Sequence, residues 1–223
     1  KDLGIAYDGD SDRMVLVDDK GRVLDAGETS YVLLKWILKN KEGPVISNVE
    51  VSRLIEDIAR EYNREVRRIR VGHTFLFKET LENNGCFGAE SSGHYCIPFF
   101  LPLDDGISCS LFAAWVVSNL DKKLSEIVDD MPSYHRERDA FECPDSEKFD
   151  AVESLKNKYL GEFEKVNTTD GVRVDMEEGW VLVRASNTSP KIRVTVESES
   201  EIEAEKIKKR FSRDLEEEIK SLK

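Results

Sequence analysis

Between residues 44 and 120 the chain alternates short apolar runs with stretches whose apolar residues recur at helical spacing. That alternation restricts the fold more than any other feature, because strands and helices in turn build an α/β layer. Residues 44–48 and 66–71 read as strands. Between them Ser52 is placed to cap a helix with Leu54, Ile55, Ile58, Ala59 and Tyr62 on one face. A helix over 75–83, a glycine-bounded loop at 88–93 and a helix over 106–120 follow. Upstream, 3–7 and 14–17 read as strands, and 29–39 as a helix carrying Val32, Leu33, Trp36 and Ile37. The expectation is an α/β domain with a mixed, largely parallel sheet.

Residues 132–145 hold two prolines and the charged run 136–139, and read as a domain boundary. After them the order changes. A helix over 146–159 precedes strands over 171–175, 179–184 and 191–197. The chain then ends in an amphipathic helix with Ile202, Ile207, Phe211, Leu215, Ile219 and Leu222 in one stripe. Ser200 and Glu203 have the spacing of a capping box. This second unit reads as a smaller α+β domain with an antiparallel sheet.

The net charge of −12 argues against a nucleic-acid or anionic-membrane binder, which shows a basic face. It leaves room for a small anion held in a locally basic pocket. The apolar run 111–117 is far too short to cross a bilayer. No secretory signal opens the chain. Cys86, Cys96, Cys109 and Cys143 form no CxxC pair, which suits reduced thiols in a cytoplasmic protein. The first residue is Lys1 and strand-like sequence starts at once, so the chain reads as a piece cut from a larger protein.

Three loops carry candidate chemistry. In Asp8-Gly9-Asp10-Ser11-Asp12-Arg13, carboxylates at i, i+2 and i+4 of an extended loop can point one way. Three such charges repel unless a cation neutralises them, and a hard divalent ion prefers oxygen ligands. A solvated turn rich in Asx contacts is the bland alternative. An EF-hand fits poorly, since Arg13 stands where its turn glycine belongs. In Gly88-Ala89-Glu90-Ser91-Ser92-Gly93-His94, small residues allow close backbone approach, and Glu90 with Ser92 suits neighbouring sugar hydroxyls. His94 can pass a proton near neutral pH. A polar surface loop would look similar. In Arg184-Ala185-Ser186-Asn187-Thr188-Ser189-Pro190-Lys191, a guanidinium, hydroxyls and turn N–H groups make a phosphate cradle, or simply a hairpin loop. His73 is a further substrate-contact candidate, or a structural histidine at a helix start. Arg64, Arg67, Arg68 and Arg70 read as a solvated basic face, with a raised local phosphate concentration as the functional alternative.

In order and spacing these loops resemble the α-D-phosphohexomutases, the phosphomannomutases and phosphoglucomutases. DGDSDR matches that family's metal loop, GAESSGH its GExSGH-like sugar loop, and RASNTSP its RxSNTxP phosphate loop. Asp170-Gly171-Val172-Arg173 before Trp180 is similar to its fourth domain. The resemblance implies Mg²⁺ on Asp8, Asp10 and Asp12, completed by a phosphoserine, with Arg13 beside that phosphate. Glu90 and Ser92 would hold sugar hydroxyls, His94 would lie by the reacting end, and His73 would touch substrate. Arg184, Ser186, Asn187 and Thr188 would grip the phosphate that does not react. The implied reaction interconverts hexose 6-phosphate and hexose 1-phosphate, with a hexose 1,6-bisphosphate as activator and intermediate. Asn187 tips the substrate toward mannose or glucose phosphate; phosphoglucosamine mutase is the alternative.

Two departures stand out. Ala89 replaces the usual glycine, and no serine is followed by His-Asn, so the phosphoserine loop is absent. The resemblance then makes 1–25 the tail of domain two, 26–131 domain three and 138–223 domain four. The N-terminal domains of the same protein would be the missing partner. A haloacid-dehalogenase-type enzyme with Asp8 as nucleophile wants Thr or Val at Asp12 and leaves two loops unexplained. A non-catalytic sugar-phosphate-binding module is the reading from another class.

Overall fold

The computed structural model describes residues 2–222. The chain divides into two compact units, Lys1–Pro132 and Ser133–Lys223. Unit 1 opens with an antiparallel hairpin of β1 (Gly4–Tyr7) and β2 (Met14–Val17). Helix α1 (Ala26–Asn40) begins three residues earlier than its apolar pattern suggested. Asp25 accepts from the Glu28 backbone N–H while Glu28 accepts from that of Asp25, a reciprocal cap. The elements β3 (Val45–Asn48), α2 (Leu54–Glu61), β4 (Val66–Ile69), α3 (His73–Glu82), β5 (Phe87–Ala89) and β6 (Tyr95–Cys96) follow. The sheet order is β4-β3-β5-β6, parallel except for the last pair. Every residue of β3 is buried, as a central parallel strand requires. Helices α4 (Gly106–Ser118) and α5 (Leu124–Asp130) complete the unit.

Unit 2 is a five-stranded antiparallel sheet. It is built from β7 (His135–Glu142), β8 (Val166–Asn167), β9 (Val172–Asp175), β10 (Gly179–Ala185) and β11 (Lys191–Ser198), in the order β7-β11-β10-β9-β8. Helices α6 (Lys148–Leu160) and α7 (Glu201–Ser221) pack on one face. There Val172, Val174, Val181, Val183, Val194 and Val196 meet Leu155, Tyr159, Phe211 and Leu215. On the other face Trp180 is roofed by Arg173, with Cζ 4.0 Å from the indole centroid, and donates to Glu197 at 2.8 Å.

The architecture is the one expected, an α/β unit followed by an antiparallel α+β unit. Several local readings change. The boundary expected over 132–145 falls at its start, between Pro132 and Ser133, and the rest is mostly strand β7, paired with β11 from His135 to Glu142. Its charges hid it: as an edge strand it carries ionic side chains that reach Glu197 (from Arg136, 2.6 Å) and Lys208 (from Glu137, 2.7 Å). The first two residues of the loop expected at 88–93 are the end of β5, so the loop proper starts at Glu90. Ser200 stands at the N-cap of α7 but makes no side-chain capping bond. In the α7 stripe Ile202 is exposed, while Ile207, Phe211, Leu215 and Ile219 are buried. Arg68 is no part of a solvated face, since it is buried under the loop after β3.

Candidate functional site

The tip of the β1–β2 hairpin carries the three carboxylates. Their ligand atoms on Asp8, Asp10 and Asp12 lie within 4.8 Å of one another. Ser11 adopts φ 63, which closes the tip tightly enough to gather them. Arg13 turns back on the cluster: its N–H donates to Asp8 Oδ1 and its Nε lies 2.5 Å from Asp8 Oδ2 and 3.5 Å from Asp12 Oδ1. Desolvation pushes the Asp8 carboxyl upward, but the Arg13 backbone bond and guanidinium charge outweigh it and hold it below its usual value. Asp12 Oδ1 is buried without a hydrogen bond. An all-oxygen, three-carboxylate set with an unbonded oxygen fits a hard divalent cation.

The hairpin tip is fixed by two neighbours. Met14 N–H donates to Gly93 O at 3.2 Å, and Gly106 N–H donates to Ser11 O at 3.0 Å. A Cβ at position 106 would lie 2.8 Å from Ser11 O and 2.9 Å from Arg13 O, so only glycine lets α4 start against the tip. The residues Glu90, Ser92 and His94 therefore stand beside the carboxylates. His94 Nε2 is 3.2 Å from Asp12 Oδ2, and its Nδ1 is 2.8 Å from Ser92 Oγ. The His73 ring, at the start of α3, is 5.2 Å from that of His94, centroid to centroid. Glu90 closes a turn, accepting from Gly93 N–H and donating its own N–H to His94 O.

Asp104, which sequence reasoning missed, completes this group with Oδ2 3.8 Å from His94 Nε2. Its only sequence signal was the Asp104-Asp105 pair before an apolar helix, where Asp105 serves as the N-cap. Burial raises the Asp104 carboxyl, and Asp12 and Asp10 raise it further against the pull of His94 and His73.

Glu90 is 6% exposed, with Oε2 buried and unbonded. Burial pushes its carboxyl above the ordinary value of 4.5, opposed by His94 and His73. The folded state therefore holds the Glu90 proton more tightly than the unfolded state. The resulting stabilisation is complete below the ordinary value and is lost as pH rises through the folded one. Glu90→Gln is expected to raise the thermal midpoint at pH 7, with the gap over wild type closing as pH falls toward 4.5. A variant that melts below wild type by the same margin at both pH values would refute this.

In unit 2 the loop 186–190 joins β10 to β11. Arg184 and Ser186 are buried, whereas Asn187 and Thr188 are exposed. Ser186 N–H donates to Lys191 O at 2.8 Å, Thr188 N–H to Ser186 Oγ at 3.4 Å, and Ser189 Oγ to Ser186 Oγ at 2.8 Å. Gly171, at φ +76, lies where a Cβ would be 2.4 Å from Val183 O, and this close approach sets Asp170 3.9 Å from Arg184. The second residue missed in the sequence is Lys148. Its buried ammonium donates to Ser186 O at 2.6 Å and Ser189 O at 3.1 Å, and so props the loop from beneath. Nothing in the local sequence marks it.

Comparison with known proteins follows the same division. The model for phosphoglucomutase/phosphomannomutase, alpha/beta/alpha domain III, matches residues 25–134, and that for the C-terminal domain of these enzymes matches 140–213. A protein of Methanopyrus kandleri, named as a probable phosphoglucosamine mutase, is 38% identical over 214 residues. The match covers 94% of this chain and 47% of that protein. The chain thus spans about half the length of the curated relatives it matches. A phosphoglucomutase/phosphomannomutase family protein from Burkholderia thailandensis superposes with a TM-score of 0.83 at 23% identity, over 97% of this chain and 47% of that one. The Aspergillus fumigatus N-acetylphosphoglucosamine mutase, in complex with GlcNAc-6P and magnesium, superposes with a TM-score of 0.70 at 15% identity, over 96% of this chain and 48% of that one. By both domain matches, the chain belongs to the phosphoglucomutase/phosphomannomutase family.

Proposed function

We propose that the chain supplies the metal-binding, sugar-binding and phosphate-binding loops of a cytoplasmic, Mg²⁺-dependent phosphohexomutase. That enzyme would interconvert a hexose 6-phosphate and its 1-phosphate through a phosphoserine and a hexose 1,6-bisphosphate. The observation that carries the reading is the three-carboxylate tip with Arg13 and His94 packed directly against it. Residues 1–25, 26–131 and 138–223 are assigned to the tail of domain two, domain three and domain four. The phosphoserine belongs to N-terminal domains of the same protein.

Phosphoryl transfer depends mainly on positioning and charge stabilisation. Asp8, Asp10 and Asp12 would hold Mg²⁺, which when bound polarises phosphoryl oxygens. Arg13 would leave its ion pair with Asp8 to face the equatorial oxygens of the moving group. Glu90 accepts from sugar hydroxyls, and Ser92 orients His94 so that Nε2 can take or return the proton of the reacting hydroxyl. His73 offers a further polar contact. Arg184, Ser186, Asn187 and Thr188 would hold the non-reacting phosphate through charge-assisted bonds. Such a division suits a mutase, which must accept its sugar in two orientations.

For the sugar, the name of the M. kandleri relative supports glucosamine phosphate. The structural neighbour solved with GlcNAc-6P and magnesium is also compatible with an amino sugar and with this cofactor. Asn187 favours the second reading, mannose or glucose phosphate. The test is to assay the full-length protein with Mg²⁺ and each of glucosamine, mannose and glucose 6-phosphate, beside residues 1–223 alone. Turnover is expected only from the full-length protein, and fastest with glucosamine 6-phosphate. Isomerase activity in the 223-residue chain would overturn the division of labour. Inactivity of the full-length protein on all three sugars would favour a sugar-phosphate-binding module.

A further inference from the structure

We propose that His73, His94 and Asp104 form a second cation site, selective for a borderline-soft divalent ion such as Zn²⁺, next to the all-carboxylate site of the hairpin tip. The three residues come from three separate elements of unit 1: the start of α3, the loop between β5 and β6, and the loop before α4. Their ligand atoms lie within 4.8 Å of one another. Two ligands of a tetrahedral ion bound at about 2.1 Å stand about 3.4 Å apart. The His94 Nε2 to Asp104 Oδ2 distance of 3.8 Å needs only a small closure, and exposed His73 has room to swing.

The surroundings prepare the site. Ser92 Oγ engages His94 Nδ1, which fixes the ring as an outer-shell partner does, and makes Nε2 the ligand atom, which would exchange its 3.2 Å contact with Asp12 Oδ2 for the ion. Asp104 Oδ1 is buried with no hydrogen bond, so one lone-pair-bearing oxygen is already desolvated and unspent. Asp12, Asp104 and Glu90 stand by the rings, a surplus of negative charge that favours a cation. Two imidazoles and one carboxylate, with a fourth position open to water, form a donor set suited to Zn²⁺ rather than Mg²⁺. The adjacent tip offers oxygen alone and suits the harder ion. The two neighbouring sites, of different hardness, have no ligand in common and meet at the contact of His94 Nε2 with Asp12 Oδ2, 3.2 Å. The site stands independently of the mutase reading. If that reading holds, Zn²⁺ would withdraw His94 of the sugar loop and His73 of α3 from substrate.

The test is calorimetric titration of Zn²⁺ alone into the 223-residue chain held in saturating Mg²⁺, with His73→Ala, Asp104→Asn and Asp10→Asn beside wild type. One Zn²⁺ site is expected, weakened at least about tenfold by His73→Ala and by Asp104→Asn, and changed less than about threefold by Asp10→Asn. His73 is exposed, so its truncation spares the core. Circular dichroism checks the Asp104 variant, and if it does not fold, the ¹⁵N resonance of His94 Nε2 replaces it, with a Zn²⁺-induced shift expected in wild type and lost in His73→Ala. Absence of Zn²⁺ binding, equal affinity in wild type and His73→Ala, or loss of binding in Asp10→Asn would each overturn the second site.

Discussion

Arg68→Met is expected to destabilise unit 1 by about 3–5 kcal/mol. The side chain is 8% exposed, and its five N–H groups reach six acceptor atoms, one N–H being shared. Nε and Nη2 form a fork on Glu56 at 2.7 and 2.6 Å. Nη1 donates to Ser47 Oγ, Asn48 O and Val51 O, and Nη2 also reaches Ser52 O. Methionine fills comparable volume but leaves three backbone carbonyls without this donor and Glu56 without its counter-charge. Those carbonyls shape the turn between the central strand β3 and helix α2, so the cost falls on the core of the sheet. Lysine would not rescue it, because one ammonium cannot reproduce the planar fork. Arg67→Ala is the control: that residue is half exposed, pairs with exposed Glu65, and is expected to change stability by less than about 0.5 kcal/mol. Urea unfolding of the three proteins decides. A loss below about 1 kcal/mol for Arg68→Met would mean that water replaces the guanidinium in that turn.

The contrast between Arg67 and Arg68 shows where the sequence stops being readable. The run Arg64 to Arg70 looks like one basic face, yet alternate residues of a strand point to opposite sides. Only pairing β4 beside β3 decides that Arg68 turns inward. The β/α rhythm and the antiparallel second unit were legible, because burial of one face imposes a period on each element. Strand β7 was not, since an edge strand with charged partners shows no apolar period. Helix α5 was missed for a similar reason: it is seven residues long, and part of its anchoring is the Ser125 backbone and hydroxyl donating to Asp19 across a long sequence gap. In the candidate site, the loops whose residues sit close in sequence were visible. Asp104 and Lys148 act through contacts distant in sequence and carry no local pattern. Both lie behind the exposed residues of a loop, which is the position that short motifs do not record.

Lys148→Met is expected to cost unit 2 about 2–4 kcal/mol and to weaken the hexose-phosphate binding proposed for the full-length protein at least about tenfold. Lys148 is 3% exposed, and its ammonium is held by Ser186 O, Ser189 O and Asp145 at 2.6, 3.1 and 2.6 Å. Removing it leaves two carbonyls at the base of the loop without the donor that draws them together. That is the source of the stability loss. The functional loss has a separate cause. Ser186 and Ser189 hold the loop in shape through their own hydroxyl contact, and Thr188 N–H is aimed by Ser186 Oγ. If the carbonyls beneath relax, the loop loses the shape that would present Ser186, Asn187 and Thr188 to the proposed phosphate. A positive charge is also removed from below the place proposed for the phosphate. Lys156→Met, a surface lysine paired with Glu153 on the same helix α6, removes equal charge and is expected to leave binding unchanged. Lys148→Arg separates the two causes. It keeps the charge but cannot fit its fork into a space made for one ammonium, so loop geometry fails while charge is preserved. Weak binding in Lys148→Arg as well as in Lys148→Met would assign the effect to geometry, and recovery in Lys148→Arg would assign it to charge. Wild-type affinity in Lys148→Met, with the protein folded, would remove the residue from the phosphate site altogether.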